Sequence, residues 1–199
     1  MEYKHDVFLS YRRHKEWPKW VSDTFYAIFD HWLETELGHD CSIFVDYQLE
    51  TGQNWPNSLA ENLSKSRVLV PLWSPQYFNS MWCLKEMALF VARENAAGFG
   101  TVENPQRLII PAVIHDKDNF PDEAKLIQFK EIQPLCNIRT PRGSETLEKL
   151  SYEIRNWVPD ICKAINNAPP FDPLWKTIAH EQFMELFRKP PTNPQMPRL

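Results

Sequence analysis

Glu86 is the residue whose type and setting invite chemistry. It stands in Asn79-Ser-Met-Trp-Cys-Leu-Lys-Glu-Met-Ala-Leu-Phe90, a run with helical spacing in which Asn79 or Ser80 is placed to cap the first turn. Residues four apart on a helix lie over one another. Trp82, Glu86 and Phe90 therefore make one line, and Cys83, Met87 and Val91 the next. A carboxylate in an apolar stripe, between an indole and a phenyl ring, is where a perturbed and useful carboxyl group is expected. Periodicity by itself leaves a second reading open, a solvated helix edge beside Lys85 and Arg93.

Groups that could act with Glu86 follow other apolar runs. Ser10, Tyr11, Arg12 and Arg13 follow the first, Asp46 and a loop with Glu50 and Trp55 follow the second, and Trp73-Ser74 and His115-Asp116 follow later ones. One carboxylate in an aromatic setting, two arginines and an acidic loop suit cleavage of a glycosidic bond. The carboxylate stabilises an oxocarbenium-like ribose. Aromatic faces stack a base or leaving group, and arginines grip phosphates through two parallel bonds. Trp82 is equally readable as core and as a stacking surface, and Asp46 equally as a turn cap and as a ligand group. His115 reads as a strand-end histidine and Cys83 as a small core residue, since no histidine is evidently paired with it.

The elements that must position these groups alternate. Residues 5–11, 41–47, 67–73 and 107–115 are short apolar runs that read as buried strands, with a short fifth at 130–135. Helical spacing covers 17–37, 57–64, the region from Ser74-Pro75 to about Ala97, 144–166 and 174–188. Pro159 is expected to kink or split its helix. Pro71 and Pro111 lie inside strand runs, which ordinarily marks edge strands or bulges. Alternation of this kind predicts an α/β fold, a mostly parallel sheet covered on both faces. Ligands of such sheets bind beyond the carboxyl ends of the strands, where the strand order reverses. The polar, basic and aromatic groups just named fall there and suit a nucleotide better than a bare ion.

Composition narrows the classes. With 43% hydrophobic and 24% charged residues in 199, the chain suits one globular domain. A net charge of −4 disfavours a general nucleic-acid binder. Only 5 glycines are present, and none forms a phosphate loop after the first strand, which excludes a dinucleotide fingerprint or a P-loop. Ser-Tyr-Arg-Arg occupies the place where a receiver domain needs an acidic pair for magnesium. Cys41, Cys83, Cys136 and Cys162 are scattered, so neither a metal site nor a disulfide framework is signalled; a reducing, cytoplasmic setting is expected. No signal-peptide h-region and no bilayer-spanning run is found, so no membrane association is expected.

Three blocks, Asp6-Val-Phe-Leu-Ser-Tyr-Arg-Arg13, Phe44-Val-Asp-Tyr-Gln-Leu-Glu-Thr-Gly52 and Ser80-Met-Trp-Cys-Leu-Lys-Glu86, resemble the successive signature blocks of TIR (Toll/interleukin receptor/resistance) domains, in family order and at family spacing. The resemblance covers roughly residues 3–166. It implies a flavodoxin-like three-layer αβα fold with a five-stranded parallel sheet over residues 1–168, followed at 169–199 by an amphipathic helix and a Pro-rich tail. In NAD-cleaving TIR domains the glutamate of the Trp-x-x-x-Glu block is catalytic, which the resemblance carries to Glu86, with Trp82 in the matching aromatic position. It likewise makes Ser10, Tyr11, Arg12, Arg13, Asp46, Glu50, Trp55 and Trp82 the substrate-binding set, with NAD as substrate and no further cofactor. The family's BB loop matches residues 47–55 and implies self-association through that loop. With no receptor or effector domain attached, the chain resembles the TIR proteins of Thoeris antiphage defence, which turn NAD into a diffusible cyclic ADP-ribose isomer for a separate effector. The alternative is a TIR adaptor that binds other TIR domains through the BB loop without catalysis.

Overall fold

The structure, a computed structural model, describes residues 2–45, 55–137, 139–141 and 143–188, and the side chains of all of these but 55, 56 and 184–188. Asp46 and Glu50, both expected at the site, lie outside the described residues, as does the side chain of Trp55.

The apolar runs become β1 (His5–Tyr11), β2 (Ile43–Val45), β3 (Ser66–Trp73), β4 (Ala112–Val113) and β5 (Lys130–Glu131). They form one parallel sheet in the order β2-β1-β3-β4-β5. The register sets Val7 beside Ile43 on one side and Val68 on the other, and Tyr11 beside Leu72. Residues of β1 and β3 are apolar on both faces and almost wholly buried, as strands covered twice must be. The chain leaves β1 toward β2 and returns to β3 on the opposite side, so the order reverses between β1 and β3. That reversal puts the crevice above Ser10, Tyr11, Trp73 and Ser74.

The helices are α1 (Trp17–Trp20), α2 (Tyr26–Leu37), α3 (Trp55–Ser64), α4 (Pro75–Phe78), α5 (Met81–Ala97), α6 (Asp122–Lys125), α7 (Glu145–Asn166) and α8 (Leu174–Arg188). α2 packs on α7, with Phe29 against Trp157 at 5.9 Å between ring centroids. α8 packs on α3 and α5, burying Trp175, Ala179 and Phe183.

Several expectations are corrected. The single helix over 17–37 contains a π-helical turn at Val21–Phe25 between α1 and α2. Trp20 and Phe25 are five residues apart, too far round for an α-turn. The wider turn brings both into the buried stripe that continues through Phe29 and Leu33, with Trp20 and Phe25 ring centroids 5.7 Å apart. The helical region from Ser74 is two helices. Ser80 is extended (φ −105°, ψ 112°) and caps α5, its Oγ accepting from Cys83 N. Pro159 does not split α7; Ile154, Trp157, Val158 and Ile161, all buried, hold the turns on either side of it.

Pro71 lies in β3, which is internal rather than an edge. Leu69 donates to Leu108 O and accepts from Ile110 N, so Pro71, two residues on, turns its missing N–H to the same side. There the ladder is interrupted, leaving a bridge between Leu69 and Ile109 before pairing resumes at Leu72 and Ala112. The strand expected over 107–115 is shortened to Ala112–Val113 for that reason.

The far end of α5 is tied to the amino ends of two strands. Arg93, fully buried, donates from Nη1 to Ser66 O (2.7 Å) and from Nη2 to the Tyr3 hydroxyl (2.7 Å) and Arg67 O (3.2 Å). Glu94, 2% exposed, accepts from Leu108 N (2.6 Å), Ile109 N (3.1 Å) and Arg107 Nη1 (3.0 Å). These bonds fix α5 along its axis and so fix the height of Glu86 at the opposite end. Tyr3 in turn donates to Pro169 O (2.8 Å) and packs edge-on against Phe171 (5.5 Å), which ties down the connection to α8.

His5, 8% exposed, bridges Ser42 Oγ (2.9 Å) and Asn62 Oδ1 (3.0 Å). Burial lowers its pKa from 6.5, outweighing the bond to Asn62. A lowered folded value means that the unfolded chain binds the proton first as pH falls. The stability contribution of neutral His5 is therefore whole above about pH 6.5 and declines below it. Urea midpoints measured across that range are expected to fall with pH, and to fall less in His5→Gln.

Candidate active site

The site is built where β1, α4 and α5 meet. Near the carboxyl end of its buried run β1 places Ser10, 2% exposed, with Tyr11 after it also buried. Ser74 caps α4, its Oγ accepting from Tyr77 N at 3.3 Å, and the short helix turns Tyr77 fully inward. Ser80 then starts α5, which presents Glu86 to the same point, one and a half turns in.

Glu86 is 4% exposed. Ser10 Oγ donates to its Oε2 at 2.5 Å and stands 3.1 Å from the Tyr77 hydroxyl. That hydroxyl donates to Cys83 O at 3.3 Å. Burial raises the pKa of Tyr77 well above the ordinary phenol value, and Cys83 and Glu86 add to the effect. The phenol is therefore neutral at any physiological pH and keeps its donor. The expectation of a carboxylate set into an apolar stripe is met in position: Cys83, Leu84, Met87 and Phe90 are buried around it.

The other expected site residues fall in three groups. Ser10 is joined to Glu86 directly, so its hydroxyl faces the carboxylate rather than open solvent. Arg12 and Arg13 are exposed at the rim, and Arg12 Nη1 reaches Ser80 Oγ at 3.4 Å. Tyr11 is 6% exposed and belongs to the core cluster. Trp82 lies one turn before Glu86 and stacks on Phe183 of α8, with centroids 5.4 Å apart and planes 16° apart. One face of its indole is thereby covered by the chain itself. His115 is exposed and meets Trp17 at 6.4 Å, joining the loops that follow β1 and β4. Those loops hold the two non-glycine residues of positive φ among the described residues, Lys15 (49°) and Asp116 (48°). Such backbone strain gathers at binding sites.

Tyr77 was missed by sequence reasoning. Its signal was slight, a tyrosine in a short apolar turn after Ser74-Pro75, with nothing in the spacing to tie it to Ser10 or Glu86. Burial raises the pKa values of Cys41, Cys136 and Cys162, which disfavours their thiolates. Among the described residues no group of three His, Cys, Asp or Glu side chains could hold a metal ion, and no helix is long and apolar enough to cross a membrane. A cavity of about 640 Å³ lies elsewhere, lined by Arg107, Phe129, Lys130 and Trp157 among others. It sits at the amino ends of β4 and β5, away from the crevice, and brings no catalytic constellation together.

No curated protein matches the chain. Among solved structures, the TIR domain of the Toll-related receptor TRR-2 from Hydra magnipapillata is similar at 17% identity, covering 77% of this chain and 100% of that one, with a TM-score of 0.46. The TIR domains of the activated Roq1 resistosome, which directly recognises the pathogen effector XopQ, are similar at 18% identity over 92% of this chain and 99% of that one, with a TM-score of 0.41. The family model described as the TIR domain matches residues 7–150, a span that takes in β1 from Val7 onward, the reversal of strand order, Ser10, Tyr77 and Glu86 together. The chain belongs to the TIR domain family.

Proposed function

We propose that this TIR domain cleaves the bond between nicotinamide and ribose in NAD, with Glu86 as the catalytic carboxylate. The observation that carries the reading is the placement of Glu86. It is an almost fully buried carboxylate held by Ser10 at the carboxyl ends of β1 and β3, where ligands of this sheet topology bind.

The bond that breaks joins ribose C1′ to the nicotinamide ring nitrogen, and its electron pair leaves with neutral nicotinamide. Positive charge develops on the ribose, and the Glu86 carboxylate stabilises it. Arg12 and Arg13, exposed beside the crevice, are suited to the pyrophosphate. Attack by water at C1′ gives linear ADP-ribose and a proton. Attack by an adenine ring nitrogen closes a cyclic isomer lighter by one water. The proposed product is the cyclic isomer, a diffusible antiphage signal read by a separate effector.

A second reading is an adaptor that binds other TIR domains through residues 47–55. It is favoured by the cover over Trp82, whose indole stacks on Phe183. One experiment separates the two: concentrated protein is incubated with NAD beside Glu86→Ala, and products are resolved by chromatography with mass detection. Nicotinamide release that disappears in the variant is the expected result. Turnover surviving in Glu86→Ala would falsify the enzymatic reading. Absence of turnover at every protein concentration, with TIR–TIR binding that survives Glu86→Ala and fails on changing Trp55, would establish the adaptor.

A further inference from the structure

We propose that Tyr77 is a positioning residue for Glu86, acting through Ser10 in a two-hydroxyl relay that holds the carboxylate in one place in either of its protonation states. The proposal rests on the catalytic reading of Glu86.

Three elements converge on the relay. β1 supplies Ser10, α4 supplies Tyr77, and α5 supplies both Glu86 and the Cys83 carbonyl. Each hydroxyl carries one proton, which limits the arrangements to three. With Glu86 ionised, Ser10 donates to Oε2 across 2.5 Å, and the phenol proton of Tyr77 goes either to Ser10 Oγ, 3.1 Å away, or to Cys83 O, 3.3 Å away. With Glu86 protonated, the carboxyl donates to Ser10, Ser10 donates to Tyr77, and the phenol turns its proton to Cys83 O across 3.3 Å. Each arrangement leaves every donor with an acceptor. Cys83 O is the acceptor left to the phenol proton when Glu86 is protonated, so the change of state needs no side chain to move.

The surroundings suit a fixed relay. Tyr77 is 0% exposed, Ser10 2% and Cys83 4%. The ring of Tyr77 is held edge-on to Phe78 at 5.6 Å. Other groups at this corner are Arg12, bonded to Ser80 at the start of α5, and the Cys83 thiol. Buried hydrogen-bond chains polarise one another, and a missing link is felt at the far end.

Tyr77→Phe removes the hydroxyl and keeps the ring. Nicotinamide release is then expected to fall about fivefold to tenfold in kcat, the loss of one buried hydrogen bond, with KM for NAD unchanged. Because Tyr77 acts through Ser10, the double variant Ser10→Ala/Tyr77→Phe is expected to be no slower than Ser10→Ala alone. A tyrosine with a purely structural role gives unchanged kcat in the folded fraction, or losses that multiply, and either result overturns the proposal while leaving the catalytic reading intact. A second measurement is independent of turnover: the side-chain carboxyl carbon resonance of Glu86, identified by its loss in Glu86→Gln, followed at one neutral pH. It is expected to move in Ser10→Ala and in Tyr77→Phe, and to move no further in the double variant than in Ser10→Ala. If Glu86→Ala retains turnover, the catalytic reading fails and this resonance alone judges the relay; a signal that stays put in Tyr77→Phe overturns it.

Discussion

Glu86→Gln is expected to slow nicotinamide release from NAD at least about 100-fold and to leave the folded protein as stable as the wild type or more so. Glutamine has the length and shape of glutamate, and its carbonyl oxygen can accept the Ser10 bond that Oε2 now takes. What it lacks is negative charge, and charge is what a developing ribose cation needs from a side chain 4% exposed in an apolar stripe. The same burial makes an ionised carboxylate expensive and an amide less so, which is why the melting temperature is not expected to fall. The two measurements together locate the role of Glu86. Lost turnover with an unchanged melt places the residue in the chemistry. Parallel losses of both would make it a structural carboxylate and the slow reaction a by-product of partial unfolding.

Arg93→Ala is expected to destabilise the fold strongly, by about 3 kcal/mol. The substitution removes three hydrogen bonds at once and leaves Ser66 O, buried, and Arg67 O and the Tyr3 hydroxyl, half-buried, without that partner. It also empties the volume under the rings of Phe90 and Tyr3, over which the guanidinium lies at 4.7 Å and 5.3 Å. For a chain of this size each kcal/mol moves the melting temperature by about 2–4 °C. Arg93→Met separates the two causes, because methionine fills much of the space and donates nothing. The expected order in urea midpoint is wild type, then Met, then Ala. A methionine variant more stable than the wild type would mean that the cost of burying an unpaired cation exceeds the worth of its bonds, and the anchoring role given to Arg93 would be lost.

Four of the five strands were legible because they lie in apolar runs, and periodicity needs no partner to be seen; β5, Lys130–Glu131, carries no such run. The limits of β1 and the capping of α5 by Ser80 agree with the sequence reading for the same local reason. The extent of β4 was not legible. It depends on where Pro71 and Pro111 turn their missing donors, and that is set by the neighbouring strand. The π turn at Val21–Phe25 was hidden because a five-residue spacing between Trp20 and Phe25 looks like a fault in a helical pattern until both are found buried. At the site, Glu86 stood out as a carboxylate in the wrong kind of stripe. Its bond to Ser10 joins residues 76 apart in sequence, and Tyr77 carried no pattern of its own. Long-range polar contacts of this kind leave no period behind them.

The family match stops at residue 150, inside the second turn of α7, whereas the packed unit does not stop there. Recombinant fragments are commonly cut at such boundaries. A fragment of residues 7–150 would lose the remainder of α7, which buries Ile154, Trp157 and Ile161, and all of α8, which stacks Phe183 on Trp82. At its other end it would lose Tyr3, the residue that bonds both Arg93 and the carbonyl of Pro169. Such a piece would be expected to aggregate or to bind its own kind through newly bared helix faces. An oligomer or an inactive protein obtained from it would report on the cut and not on the domain.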